Sequence, residues 1–216
     1  MTQRTALTFG DEMRVGLCGQ VRRVWAPRGV QVRQRVQMTR EWRYLALAVD
    51  GLRGTLRWCW IPSMQGDAIA EAVQAWQAQG GEAVVWDGAS GQRAPEVRRV
   101  GVTLLQQPPY APELQPAERV FEELRRVVEG QVYATLEEKA AAVERDLGAL
   151  AADPERVKSL AGWHWIDEAW AALPPGEDAE AEDAQALELV ALPPAIGISH
   201  FVKHPRHRII PGCYTL

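Results

Sequence analysis

The 216-residue sequence predicts an α/β fold in which a mixed β-sheet is covered by helices. Two patterns predict it. The first sixty residues contain short runs rich in β-branched, aromatic and leucine residues, which are typical of strands. Residues 67–165 then alternate amphipathic helical segments with two apolar runs of strand length. With 47% hydrophobic residues, a chain of this length can bury one well-formed core.

The N-terminal strands come first in this prediction. Two turn signals, Pro27-Arg28-Gly29 and Asp50-Gly51, separate some of them. A helix follows over residues 67–77, with Asp67 as its N-cap and Gly80-Gly81 after its end. The predicted strands are residues 6–9, 14–18, 31–37, 42–49 and 55–61, and a buried strand at 83–86 that ends at Asp87.

The second half of the chain predicts mainly helices. A short helix is expected around residues 94–99, a strand over 102–106, and a helix over 116–128 after a proline-rich loop. Thr135 and Glu138 form a capping box for the next helix. Asp153-Pro154 starts another helix, which we expect to run to about residue 165.

Charge is distributed unevenly. The chain carries −4 overall, but residues 1–60 hold eleven arginines against four acidic residues, a net charge of +7. A basic footprint of this kind favours binding to a nucleic-acid backbone. The alternative, that arginine simply replaces lysine in this composition, stays open at this point.

Three acidic residues stand at positions suited to metal chemistry. Asp11 lies in a strand-like segment, Asp87 at the end of a buried strand, and Glu118 as the third residue of a helix that begins at Pro116. Hard cations such as Mg²⁺ prefer oxygen ligands, and a phosphodiester supplies part of the coordination shell. Each acid taken singly is also an ordinary turn or helix-start residue.

The local motifs around these acids are specific. They are Phe9-Gly10-Asp11-Glu12-Met13, Trp86-Asp87-Gly88-Ala89 and, above all, the loop from Pro108-Pro109-Tyr110-Ala111-Pro112 to Leu114-Gln115-Pro116-Ala117-Glu118. Over about residues 5–173 the chain resembles the DDE-type transposases of the Tc1/mariner and IS630 group.

This resemblance implies an RNase H-like core: a mixed five-stranded sheet flanked by helices, with extra C-terminal helices. It assigns Asp11, Asp87 and Glu118 as catalytic residues and ligands of Mg²⁺, with Mn²⁺ as a substitute. The implied activity is cleavage at transposon ends, followed by attack of the freed 3′-hydroxyl on target DNA. We expect Asp11 and Asp87 to share one ion and Glu118 to hold a second.

The sequence also departs from the family pattern. Gly88 and Gln92 stand where Asn and His are common, and Gln115 where Asn is common. Family members carry a helix-turn-helix region before the core, whereas Asp11 lies close to the start of this sequence. We therefore expect a catalytic part alone, with a separately encoded helix-turn-helix polypeptide as a partner and a homo-oligomer on DNA.

We expect a set of N-terminal arginines to contact DNA by binding its phosphates, without base-specific contacts. They are Arg22, Arg23, Arg28, Arg33 and Arg35. The alternative function is a catalytically inactive transposon remnant that binds DNA or full-length transposase as a regulator. An RNase H-like nuclease unrelated to transposition is less compatible with the proline loop.

The remaining expectations concern organisation and location. Residues 1–173 are predicted to form the catalytic domain and residues 174–216 an acidic, disordered tail. Because no apolar run is long enough to span a bilayer, we expect no membrane partner and a bacterial, cytoplasmic, nucleoid-associated protein. The three cysteines suggest buried thiols, and His164 a place in an aromatic cluster with its tryptophan neighbours.

Overall fold

The structure, a computed structural model, describes residues 7–19, 25–108 and 111–172. Its sheet has five strands in the order β3-β2-β1-β4-β5. The strand β1 pairs antiparallel with β2 and parallel with β4, so the sheet is mixed. The strands are β1 Leu7–Gly16, β2 Trp42–Asp50, β3 Thr55–Ile61, β4 Ala83–Trp86 and β5 Thr103–Gln106. This confirms the predicted fold class.

Helices cover both faces of the sheet. The helices are α1 Gly66–Ala78, α2 Pro95–Arg98, α3 Ala117–Val128, α4 Leu136–Ala151, α5 Pro154–Ala161 and α6 His164–Ala172. One core contains Leu45 and Leu47 of β2 together with residues of α3, α4 and α5. The other contains Ala46 and Ala48 of the same strand with α1. The alternation along β2 therefore separates a leucine face from an alanine face, against which the larger Trp76 of α1 packs.

Two helices begin at a side chain that caps their first turn. Thr135 Oγ1 accepts a hydrogen bond from Glu138 N at 3.1 Å, and Glu138 Oε2 accepts one from Ala134 N at 2.9 Å, which confirms the cap of α4. Asp153 caps α5 by accepting from Arg156 N at 3.1 Å. The N-cap of α1 is Gln65, so the prediction that Asp67 caps this helix was wrong; Asp67 lies in its first turn.

Three other predicted boundaries differ from the structure. Segments 6–9 and 14–18 belong to one ten-residue strand, because residues 10–13 continue the ladder with β2. Residues 31–37 form no strand, since most of their side chains are exposed and find no core face. The helix expected over 153–165 is divided into α5 and α6 at Gly162, whose Cα lies too close to the Gly51 carbonyl to allow a side chain.

Within the described ranges, no helix is long and apolar enough to cross a membrane. Residues 173–216 lie outside the described residues. The division of the chain near residue 173 stays a prediction.

Candidate active site

Asp11 and Asp87 lie at the same level of two neighbouring parallel strands. Phe9 of β1 is aligned with Val85 of β4, two residues before each aspartate. Phe9 and Met13 belong to the core on the α3 side, and Val85 packs against that core. Strand alternation therefore directs Asp11 to the α3 side of the sheet, and Asp87 follows β4 at the same edge.

Glu118 reaches this edge from α3. The helix begins at Ala117 with Pro116 as its N-cap, so Glu118 is the second helical residue and not the third. The start of the helix is tied to β1 by Gln115, whose Nε2 donates to the carbonyl of Gly10 at 2.8 Å. This carbonyl immediately precedes Asp11, so one buried amide links the strand of the first acid to the helix of the third.

A second buried glutamine holds the proline loop. Gln107 N donates to the carbonyl of Trp86 at 2.6 Å, and its Nε2 donates to the carbonyl of Leu114 at 2.8 Å. The loop before α3 is thereby fastened to the residue that precedes Asp87. Gly10 leaves room for this arrangement, because a Cβ there would collide with the Trp86 indole.

The three carboxylates influence one another electrostatically. Burial is the main cause that raises the pKa of Asp11 to about 7, and the charges of Glu118 and Asp87 raise this pKa further. The N–H of Glu12, 2.8 Å from Asp11 Oδ1, and the guanidinium of Arg125 act in the opposite direction. A buried carboxyl surrounded by like charge is a site at which a cation would be stabilising.

The carboxylates are nevertheless not gathered into a coordination shell. Among residues 7–19, 25–108 and 111–172, no three His, Cys, Asp or Glu side chains form a group that could hold a metal ion. Two of the acids use other partners: Asp87 Oδ1 accepts from Ala89 N at 3.0 Å, and Glu118 Oε2 lies 3.3 Å from Arg125 Nη1.

The donor set still fits a hard divalent ion. All three side chains offer carboxylate oxygens, which Mg²⁺ and Mn²⁺ prefer. Glu118 is 42% exposed and Arg125 36% exposed, so their ion pair can open without disturbing the core. Arg125 compensates the charge of Glu118 in this structure, and metal binding would require Glu118 to leave it.

Glu12 and Gln92 form part of the site that the sequence did not indicate. Gln92 is buried and donates from Nε2 to Glu12 Oε2 at 3.0 Å. Burial, followed by the charge of Asp11, raises the pKa of Glu12 to about 8. In the sequence Gln92 stands out only as a departure from the family pattern. Neither hydrophobic periodicity nor residue spacing predicts that its amide is buried. Gly88 has φ +80, a left-handed conformation that favours glycine.

The predicted DNA-contacting arginines lie partly within the described residues. Arg28, Arg33 and Arg35 are exposed on residues 25–41, which we call the arginine arm; Arg22 and Arg23 fall outside the described ranges. In the sequence the arm lies between β1 and β2, and hydrogen bonds such as Gly19 N to Gln37 O at 2.8 Å join its C-terminal part to the residues after β1. The turn predicted at Pro27-Arg28-Gly29 is confirmed by the bond from Val30 N to the Pro27 carbonyl.

The structure also shows the surroundings of a tryptophan on the arm, of the aromatic cluster near residue 164 and of one cysteine. Trp25 on the arm is fully exposed. Trp165 packs edge-on against Phe9, but His164 is exposed and pairs with Glu168. Cys18 is also exposed, against the prediction of buried thiols.

Comparison with known proteins places the chain in a family. Residues 6–138, more than half of the chain, match the family model of the DDE superfamily endonucleases. The chain therefore belongs to the DDE superfamily endonucleases. A comparison with curated protein sequences gave no match.

Solved structures that this chain resembles include complexes of the Mos1 transposase and an integrase catalytic core domain. The mariner Mos1 paired end complex with Mg shares 17% identity, with a TM-score of 0.56 over 77% of this chain and 53% of that one. The Mos1 transposase paired-end complex with left transposon end shares 14%, with a TM-score of 0.49 over 73% and 55%. The catalytic core domain of BIV integrase shares 15%, with a TM-score of 0.43 over 67% and 82%. The chain thus spans about half the length of the Mos1 chains it matches. The resemblance to DDE-type transposases and the RNase H-like core are confirmed.

Proposed function

We propose that this chain is the catalytic part of a transposase of the IS630/Tc1/mariner group. It would cleave DNA strands by hydrolysis, and the freed 3′-hydroxyl would then attack a phosphodiester of target DNA, which joins the 3′ end to one target strand and releases the other end of that strand. The observation that carries the proposal is electrostatic: the charges of Glu118 and Asp87 both contribute to the raised pKa of the buried Asp11, so the three acids lie near enough to one another to interact. Membership of the DDE endonuclease family supports it.

In this proposal Mg²⁺, with Mn²⁺ as a substitute, is held by the three carboxylates. Asp11 and Asp87 would share one ion, and Glu118 would hold a second if its ion pair with Arg125 opened. The bound ions would supply activation of the attacking hydroxyl and stabilisation of the leaving oxyanion. The chain's own contribution would be alignment: the parallel register of β1 and β4 carries Asp11 and Asp87 to the same edge of the sheet, and Gln115 ties the start of α3 to β1.

The arginine arm is proposed to bind the DNA backbone. Arg28, Arg33 and Arg35 are exposed, and Arg22 and Arg23 are assigned the same role from the sequence. Such contacts are salt-sensitive and carry no base readout. We assign recognition of transposon ends to a helix-turn-helix polypeptide encoded separately. We also propose a homo-oligomer on DNA, in the bacterial cytoplasm and associated with the nucleoid.

The second candidate is a catalytically inactive remnant that binds DNA or full-length transposase as a regulator. The ion pair between Glu118 and Arg125 favours it, because a third carboxylate already neutralised by arginine has less to gain from a metal ion. In either case we propose residues 1–173 as the functional domain and residues 174–216 as an appended tail.

The test is metal-dependent nicking of supercoiled DNA by the purified chain at low salt, with Mg²⁺ or Mn²⁺. A Glu118→Ala variant is the negative control, and Glu122→Ala, an exposed acid on the same helix, is the matched control. Nicking by the parent and by Glu122→Ala, but not by Glu118→Ala, is the expected result. Retained DNA binding without nicking by the parent would favour the remnant.

A further inference from the structure

Gln92 is one of the most deeply buried polar residues in the described part of the chain, at 3% exposure. It lies on the loop between β4 and α2, and its carboxamide is used at both ends. Oε1 accepts from Gly88 N at 2.9 Å and from Ala89 N at 3.1 Å, while Nε2 donates to Glu12 Oε2 at 3.0 Å. A buried amide satisfied in this way fixes the groups that it joins.

The joined groups belong to the segments that carry two of the acids. Glu12 follows Asp11 on β1, and Gly88 follows Asp87 after β4. Glu12 is aligned with Ala46, whose side chain lies in the core on the α1 side, so Glu12 points away from the face that Asp11 occupies. The link through Gln92 therefore reaches β1 on the α1 side of the sheet, the side opposite to Asp11.

We propose that Gln92 is a positioning residue that fixes the separation of Asp11 and Asp87 by holding the loop after β4 against β1. This inference rests on the proposed function. No other described side chain donates a hydrogen bond to Glu12, and its second oxygen is buried without a hydrogen-bond partner among these residues. Loss of the amide would leave the loop free to move away from β1.

Histidine offers the same combination of one acceptor and one donor nitrogen in its neutral form. A histidine at this position could therefore make the same two kinds of hydrogen bond. Gln92→His is for this reason the conservative variant that should retain function, whereas Gln92→Leu keeps the volume and removes every hydrogen bond.

The experiment measures Mn²⁺ affinity, from the electron paramagnetic resonance signal of free Mn²⁺, together with kcat and KM for nicking. Gln92→Leu should weaken Mn²⁺ binding about 10- to 100-fold and lower kcat with little change in KM for DNA. Gln92→His should stay within about threefold of the parent. Gln131→Leu is the matched control, because it removes an exposed amide that donates to the Val127 carbonyl and lies beyond the end of α3. Parent-like Mn²⁺ affinity in a folded Gln92→Leu would overturn the inference.

Gln92→Met is the second variant, and it serves if Gln92→Leu does not fold. It keeps an unbranched side chain of similar length but removes the donor to Glu12 and the acceptor for the two backbone N–H groups. The inference expects Mn²⁺ binding to weaken to the same degree as in Gln92→Leu; parent-like Mn²⁺ affinity would overturn the inference. A parent that neither binds Mn²⁺ nor nicks DNA refutes the proposed function instead. In that case the positioning role is tested by the hydrogen-exchange rates of the Gly88 and Ala89 amides. Rates that Gln92→Leu leaves unchanged would refute this role.

Discussion

The acid edge of the sheet and the arginine arm are built in opposite ways. At the acid edge, the segments that bear Asp11, Asp87 and Glu118 are joined by three buried glutamines: Gln92, Gln107 and Gln115. On the arm, arginines alternate with apolar side chains that remain exposed, such as Val30 and Met38 at 57% and 74%. Buried hydrogen bonds fix positions closely enough for chemistry, whereas an exposed basic segment supplies charge without fixed geometry.

The largest expected effect separates chemistry from DNA binding. Asp87→Asn should lower the rate of metal-dependent nicking about 1,000-fold or more, because an amide oxygen carries no charge with which to hold the ion. DNA affinity, measured by fluorescence anisotropy, should change less than about threefold. Asp67→Asn, an exposed aspartate in the first turn of α1, is the matched control and should nick like the parent. Equal loss of nicking and of DNA binding would show that the two regions do not act separately.

A smaller effect tests the buried amides themselves. Gln115→Leu removes the donor to the Gly10 carbonyl, which leaves a buried acceptor unsatisfied. We expect a loss of about 1 to 3 kcal/mol in the free energy of unfolding by urea, and about 10- to 100-fold slower nicking. Gln131→Leu should change the free energy of unfolding by less than about 0.5 kcal/mol. Nicking at the parent rate by Gln115→Leu would mean that α3 needs no link to β1.

The same contrast explains how far the sequence could predict the molecule. Asp11, Asp87 and Glu118 could be proposed from the sequence because each stands beside a strand or helix signal within a specific motif, and the register of β1 and β4 is consistent with that proposal for the two aspartates. The long-range hydrogen bonds of Gln92 and Gln115 could not be predicted, since each reaches a segment distant in sequence and a glutamine has no periodicity of its own. The strand expected over residues 31–37 was wrong because β-branched residues on the arm have no core to pack against.

The DNA affinity that the arginine arm supplies should fall with the number of arginines removed from it. Replacing Arg28, Arg33 and Arg35 with glutamine should weaken DNA binding about 10-fold at low salt and reduce the slope of log K against log salt by up to about 3. The value of kcat at saturating DNA should stay within about twofold of the parent. Glutamine at three exposed arginines elsewhere, Arg98, Arg99 and Arg145, removes the same charge and should leave the slope unchanged. Equal effects of both triple variants would indicate that only net charge matters.

The smallest effect concerns the stability of the metal-free acid edge. The pKa of Asp11 is raised from 3.8 to about 7 and that of Glu12 from 4.5 to about 8, chiefly by burial, so the folded chain binds more protons than the unfolded chain between about pH 4 and 8. Stability should therefore fall as pH rises through this window. We expect the metal-free Tm to be roughly 2 to 8 °C lower at pH 8 than at pH 5.5.

Asp11→Asn should reverse part of this loss, because it removes a buried charge that the fold does not compensate. Its metal-free Tm at pH 8 should exceed that of the parent, while Mn²⁺ should raise the Tm of the parent and not that of the variant. Differential scanning fluorimetry with and without a chelator measures both. A parent Tm that is independent of pH, or a variant less stable than the parent at pH 8, would show that Asp11 is compensated without metal. The carboxylates of the acid edge would then need no metal ion for stability. The acid edge would differ from the arm only in how firmly its side chains are held.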